Sequence, residues 1–426
     1  MKRLITIIIT SFFLLFNTFP AVKALSSPPE VSADSVVLMD ATTGKLLYQK
    51  NKDSAYPPAS TTKIMTVLLV LENTKLDDIV TVSKNAEMTD GSKIYLIAGE
   101  KISIKELLYG LILASANDCA VALAEHISGS TENFAELMNK KANSLGCKNT
   151  NFVNPNGLYD VNHKTSAYGL SLIMQELIKH PEYKVIATTP SYLMAVTNKS
   201  KAKRPLWNEN RLIQKADQYY YPGSEGGKTG YTIQSKHSYI ATANRNGHKL
   251  IVALVHDPVK TFFPDSIKLL NYGFDNFELS EQFKKDDVVS NLTLDDGTAL
   301  PLLATKDLYV VKEKKANLTP TIKTEQTKPN LSSIKKGDLV SKAIITLGKD
   351  SYNLELSSGI DYSKKIVPLT NTFTKNSKIS PSIVNILKYL VPILIILLFI
   401  RRGIKKKRRR KKRLNRFVNN LNNRKQ

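Results

Sequence analysis

Strand-forming text stands at both ends of residues 35–257, and helix-forming text fills the space between. "SVVLMDATTGKLLYQKN", residues 35–51, reads as strand, Thr-Gly turn and strand, hence a hairpin. "GGKTGYT", "HSYIATANRNG" and "HKLIVALVHD", residues 226–257, alternate or run apolar, with Asn246-Gly247 as a hairpin turn. The middle holds "TTKIMTVLLVLE", "SIKELLYGLILASA", "DCAVALAEHIS" and "TENFAELMNKKANSLG", each apolar at helical spacing, the last stopped by Gly146. Near 266–274, "SIKLLNYGF" adds a short helix. One antiparallel sheet, flanked by helices and carrying a helical subdomain, accounts for that order, so the class is α+β. Beyond 276 short β-prone runs between polar turns predict a small all-β domain over 276–370. Residues 371–382 read as a polar linker, and the folded first domain as 28–275.

Both chain ends are apolar. Residues 1–24 carry Lys2 and Arg3, an apolar run and a small-residue close at Val22-Lys23-Ala24, which reads as a secretory signal peptide rather than an uncleaved anchor. "IVNILKYLVPILIILLFI", residues 383–400, is just long enough for a transmembrane helix. The tail 401–426 holds 14 Lys and Arg and no acid, so it is expected to stay cytoplasmic, with the body outside the cell membrane. Of the formal +24, removing the tail, Lys2, Arg3 and Lys23 leaves +7. The basic excess is therefore a topology signal, and a nucleic-acid partner is not expected. Cys119 and Cys147 allow one disulfide, although Cys119 sits in apolar helical text where a buried thiol is expected. No metal-ligand spacing occurs and no cofactor is expected.

Candidate chemistry begins at "PPASTTKIM", residues 57–65. Ser60 and Lys63 lie three apart, on one face at the first turn of a greasy helix. Free backbone amides there favour an alkoxide, and desolvation favours a neutral amine able to take the serine's proton. Ser-x-x-Lys also starts at Ser200, Ser332 and Ser333, but in polar text without an apolar helix behind it. Ser115-Ala116-Asn117 sits between two helical runs, offering a hydroxyl as proton relay and an amide for a carbonyl. Lys228-Thr229-Gly230, which occurs once, enters a strand; its lysine and hydroxyl suit a carboxylate, and its glycine a close backbone. Taken singly, each piece also reads as a cap, a turn or a hairpin end.

Together, and in that order, the three elements are the set shared by penicillin-binding proteins and class A β-lactamases. With "GLILASANDCAVALAEHISGS", "NTNFVNPNGL", "NENRLI" and "YPGSEGGKTGYT", the chain resembles the low-molecular-mass D-alanyl-D-alanine carboxypeptidases, closely over about 30–275 and more loosely over 276–370. The resemblance implies a penicillin-binding/β-lactamase-like fold and trimming of peptidoglycan stem peptides that end in D-Ala-D-Ala. Ser60 would be the acylated nucleophile, Lys63 its base and Ser115 a proton relay. Asn117 would orient the peptide, Lys228 and Thr229 would bind its terminal carboxylate, and Gly230 would let its backbone come close. The backbone N–H groups of Ser60 and Tyr231 would form the oxyanion hole, and β-lactams would be covalent inhibitors. Departures from the pattern are the spanning helix with its basic tail, "IQSKHSYIA" after "KTGYT", and Lys260 in a segment where relatives offer arginine. His237 reads as a packed or surface histidine. A D,D-endopeptidase, a β-lactamase and a catalytically idle wall sensor are the competing functions. No loop for a deacylating glutamate stands out between Ala167 and Trp207.

Overall fold

The computed structural model describes residues 27–316, 318–326, 333–364 and most of 388–408. The chain divides into two units, Met1–Ser363 and Lys364–Gln426.

In the first unit, β1 (Ser35–Asp40) and β2 (Leu46–Lys50) form the expected hairpin. Helix Lys63–Asn73 follows. A small ribbon of β3 (Ile79–Thr81) and β4 (Lys101–Ser103) then leads into helices Ile104–Leu113, Asn117–Ser128 and Thr131–Ser144. Gly146, at φ +78°, lies just beyond the last of these. Helices Ala167–Leu177 and Pro181–Ala187 precede a second ribbon, β5 (Ser191–Met194) with β6 (Arg204–Trp207). The chain then returns as β7 (Ser224–Thr232), β8 (Lys236–Arg245) and β9 (His248–Asp257).

The five-stranded sheet runs β2-β1-β9-β8-β7, every pair antiparallel. Strands from both ends of the segment thus meet at its centre, where Val37 stands opposite Ala253. The turn between β8 and β9 is Asn246-Gly247 with φ of +54° and +86°, the left-handed pair that a tight hairpin needs. The apolar runs follow from burial on both faces. Val37 and Met39 of β1, with Ile251, Ala253 and Val255 of β9, enter one core with Ile64, Leu68, Ala120 and Leu170. Val36, Leu38, Leu250, Val252 and Leu254 enter the other with Leu269, Leu270 and Phe274. Each such side chain contributes about 1.5–3 kcal/mol on leaving water. The last helix runs Phe262–Asn276, longer than the 266–274 expected, because Pro264 sits in its first turn, where no amide partner is lost.

The β-rich region also forms. β10 (Phe277–Phe283) pairs with β13 (Leu308–Glu313). β11 (Val288–Thr293), β12 (Ala299–Ala304), β14 (Thr321–Gln326), β15 (Leu339–Leu347) and β16 (Asp350–Ser358) make a sheet of order β11-β12-β16-β15-β14. Its core holds Leu300, Leu302, Ala343, Ile345, Leu354 and Leu356. Lys45, in the β1–β2 turn, ties this region to the first by donating to the Val311 carbonyl (2.9 Å) and pairing with Asp350.

In the second unit the described residues between 388 and 408 are helical. Among the described residues no helix is long and apolar enough to cross a membrane, and the expected span 383–400 lies partly outside them. The expected signal peptide 1–24 and linker 371–382 lie wholly outside them, as does most of the tail 401–426. Cys119 and Cys147 are both buried and free, so the possible disulfide is not formed.

Candidate active site

Ser60 does not sit in an α-helical turn. Ala59–Thr62 is one turn of 3-10 helix, and the α-helix starts at Lys63. The residue ahead of Ser60, Ala59, is held at φ +49°, an uncommon conformation for a residue with a Cβ. The turn is braced from behind. Thr61 Oγ1 donates to the Pro58 carbonyl (2.7 Å), and Thr62 Oγ1 lies 2.8 Å from His163 Nε2. The Val153 amide donates to His163 Nδ1 (3.2 Å), which makes Nε2 the protonated nitrogen and Thr62 its acceptor.

Lys63 is fully buried. Its Nζ lies 3.0 Å from Ser60 Oγ, 2.7 Å from Asn117 Oδ1 and 2.6 Å from the Asn156 carbonyl. Burial, reinforced by the nearby Lys228 ammonium, holds its pKa well below the ordinary lysine value. The neutral amine satisfies this pocket: two N–H groups go to the two carbonyl oxygens, and the lone pair is left for the serine O–H.

Ser115 and Asn117 reach the site through the sharp joint between helices Ile104–Leu113 and Asn117–Ser128. Ser115 takes φ +56° and lines the same cleft as Ser60. Both ends of the Asn117 amide are engaged within the protein, since Nδ2 donates to the Asp90 carbonyl (2.7 Å). The sequence reading gave that amide to a substrate; its direct partner here is Lys63.

The third element lies on β7, an edge strand of the sheet. Gly230 presses on the Ser60 turn: a Cβ there would stand 2.9 Å from the Ser60 amide nitrogen and 2.8 Å from the Pro58 carbonyl oxygen. Lys228 is nearly fully buried and donates to the Thr229 carbonyl (3.0 Å). Burial pulls its pKa down, opposed by the Glu209 carboxylate. Tyr231 is exposed and stacks on His237 (centroids 4.5 Å).

The cleft, of about 810 Å³, is lined by Ser60, Ser115, Thr229, Gly230, Tyr231 and His237, with Glu209, Arg211, Lys260 and Phe262 among the rest. All eight expected residues thus gather around one space, Lys63, Asn117 and Lys228 just behind its lining. Sequence reading missed Glu209, Asn156 and His163. The segments of Glu209 and Asn156 were noticed in "NENRLI" and "NTNFVNPNGL", but nothing marked these two residues, and His163 lies outside both segments.

Comparison with known proteins identifies the family of the chain. The family model described as D-alanyl-D-alanine carboxypeptidase matches residues 22–258, and the penicillin-binding protein 5 C-terminal domain matches 277–359. The D-alanyl-D-alanine carboxypeptidase DacF of Bacillus subtilis is 36% identical over 361 residues, which cover 81% of this chain and 90% of DacF. DacA of Haemophilus influenzae is 31% identical over 352 residues, 78% of this chain and 86% of its own. Among solved structures, penicillin-binding protein 5 from Haemophilus influenzae superposes with a TM-score of 0.69 at 32% identity, spanning 79% of this chain and 99% of the other. A Cβ-tight Ser60 turn, a buried lysine against its hydroxyl and these matches converge, and the chain belongs to the D-alanyl-D-alanine carboxypeptidase family, within the low-molecular-mass penicillin-binding proteins.

Proposed function

We propose that the chain is a serine-type D-alanyl-D-alanine carboxypeptidase acting on peptidoglycan stem peptides. The observation that carries this reading is the fully buried Lys63 amine 3.0 Å from Ser60 Oγ. Ser60 Oγ attacks the carbonyl between the two terminal D-alanines as its proton passes to neutral Lys63. The resulting oxyanion is held by the N–H groups of Ser60 and Tyr231, a reading supported by the close approach of Gly230 to the Ser60 turn. Collapse breaks the C–N bond, and the leaving amine takes the proton from Lys63 through Ser115. Water then attacks the Ser60 ester and gives its proton to Lys63; the bond to Ser60 Oγ breaks, Lys63 returns that proton to Oγ, and the shortened peptide leaves as its acid. Asn117 orients the amine, Lys228 and Thr229 bind the terminal carboxylate, and Gly230 lets the peptide backbone approach. A β-lactam, with a strained amide and a carboxylate, acylates Ser60 by the same route. We further propose that the protein is exported by residues 1–24 and tethered to the membrane by 383–400, the basic tail remaining cytoplasmic; the charge distribution supports this.

The test incubates the full-length chain with a pentapeptide stem and follows free D-alanine, with labelled penicillin in parallel. Wild type should release D-alanine and retain the label. Ser60→Ala should do neither, and Lys63→Ala should lose at least about a hundredfold in acylation while keeping its circular dichroism. Rapid penicillin turnover without D-alanine release would sink the assignment.

A further inference from the structure

The anion subsite of this cleft is already occupied by a group of the protein itself. One oxygen of Glu209, Oε2, accepts from Thr229 Oγ1 at 2.9 Å and lies 3.7 Å from Lys228 Nζ. These are the two side chains that the function proposed above assigns to the substrate's terminal carboxylate. A carboxylate therefore stands where a carboxylate must dock. Two anions cannot share one buried ammonium and one hydroxyl donor without strong repulsion. Within the cleft, Glu209 and an incoming anion compete for the same two partners.

The surroundings are built to let this side chain leave while its backbone stays. Glu209 lies between two buried asparagines, Asn208 and Asn210. Asn208 Nδ2 donates to the Ala187 and Thr189 carbonyls (3.0 Å each), and its Oδ1 accepts from the Asn210 amide (2.9 Å). Asn210 Oδ1 accepts from the Leu212 amide (3.2 Å) and from the Tyr239 hydroxyl (2.6 Å). The Glu209 amide itself reaches the Leu113 carbonyl, just ahead of Ser115. The Glu209 side chain, by contrast, is 49% exposed. A movable carboxylate thus hangs from a fixed post. Lys260 lines the same cleft, while Arg211, also on its wall, is already paired with Asp217 (2.6 Å).

We infer that Glu209 is a displaceable internal counter-ion of the carboxylate subsite, a specificity-determining residue that every anionic substrate or inhibitor must dislodge before acylation. In the empty cleft it neutralises Lys228. On docking, the ligand's carboxylate takes over both partners, and Glu209 turns into solvent. The exchange taxes ligands that carry a carboxylate at this position and spares those that do not. The inference rests on the reading of Lys228 and Thr229 given under the proposed function.

The test compares wild type with Glu209→Gln and Glu209→Ala as full-length chains. Two peptides are used, one ending in D-Ala-D-Ala and the same peptide ending in D-alaninamide, which lacks the negative charge. The readout is the ratio of kcat/KM for the acid to that for the amide. Both variants should raise this ratio on the order of tenfold, mostly through a lower KM for the acid, since a competing charged hydrogen bond is removed. An unchanged ratio would overturn the inference. So would a fall in the ratio, because Glu209 would then be sustaining the charge of Lys228 rather than blocking it. Acylation rates with a labelled penicillin and its methyl ester give the same ratio without any peptide turnover. If wild type releases no D-alanine yet is labelled at Ser60, the carboxypeptidase reading fails, while the penicillin ratio still decides the Glu209 inference.

Discussion

At the scale of single residues, the site rests on titratable side chains buried beside the cleft. Lys63 meets only carbonyl oxygens and a hydroxyl, so its burial is tolerable chiefly as the neutral base. His163 serves the same turn differently. Burial pushes its pKa down to about 4, and its neutral ring links Thr62 to the Val153 amide. An unfolded chain would bind a proton there near pH 6.5, its ordinary value being about that. Between about 6.5 and 4 the unfolded state therefore holds the extra proton, and stability drops as pH drops; below about 4 the loss is complete. Urea unfolding at pH 7 and pH 4.5 should show His163 costing the wild type roughly 2 kcal/mol over that interval, an increment absent in His163→Gln. Equal pH slopes in the two proteins would refute this role. Ser60, Lys63 and Lys228 were legible in the sequence because each announces itself by residue type, spacing and neighbours. Asn156 was not, since it contributes a main-chain carbonyl that any residue could offer. Nor was Glu209, whose meaning comes from a strand that begins fifteen residues later and folds back beside it.

At the scale of elements, the cleft depends on the fit between β7 and the 3-10 turn at Ser60. The atoms that a Gly230 Cβ would meet are all backbone, namely the Pro58 oxygen and the Ser60 and Thr61 nitrogens. They cannot rotate aside as side chains do. Gly230→Val should therefore wedge the strand from the turn, separate the Ser60 and Tyr231 amides and cut penicillin labelling by about a hundredfold or more. The sheet should persist, because Gly230 is not among the residues with positive φ; near-normal labelling would show the contact to be dispensable. The larger elements were readable because β1 and β9 are apolar on both faces and the helices keep their spacing. The ribbons β3–β4 and β5–β6 were not, being three and four residues long, too short for alternation to register. The 3-10 turn was hidden too, since the left-handed Ala59 is a tertiary demand against local preference.

For the whole molecule, the proposed tether makes a separable prediction. A chain ended at residue 382 should keep the full penicillin reaction while moving from the membrane fraction to the soluble fraction; retention in the pellet would argue against the span at 383–400. The late position of β7 and β9 in the chain also sets an order in time. The proposed nucleophile and base lie at Ser60 and Lys63, but the strand proposed to complete the oxyanion site runs Ser224–Thr232, and the central partner of β1 comes later still, at His248–Asp257. Any polypeptide halted ahead of Thr232 owns a serine and an amine with nothing to hold a developing negative charge. Reactivity is thus deferred until the far end of the domain has arrived, and a nascent or broken copy stays chemically silent.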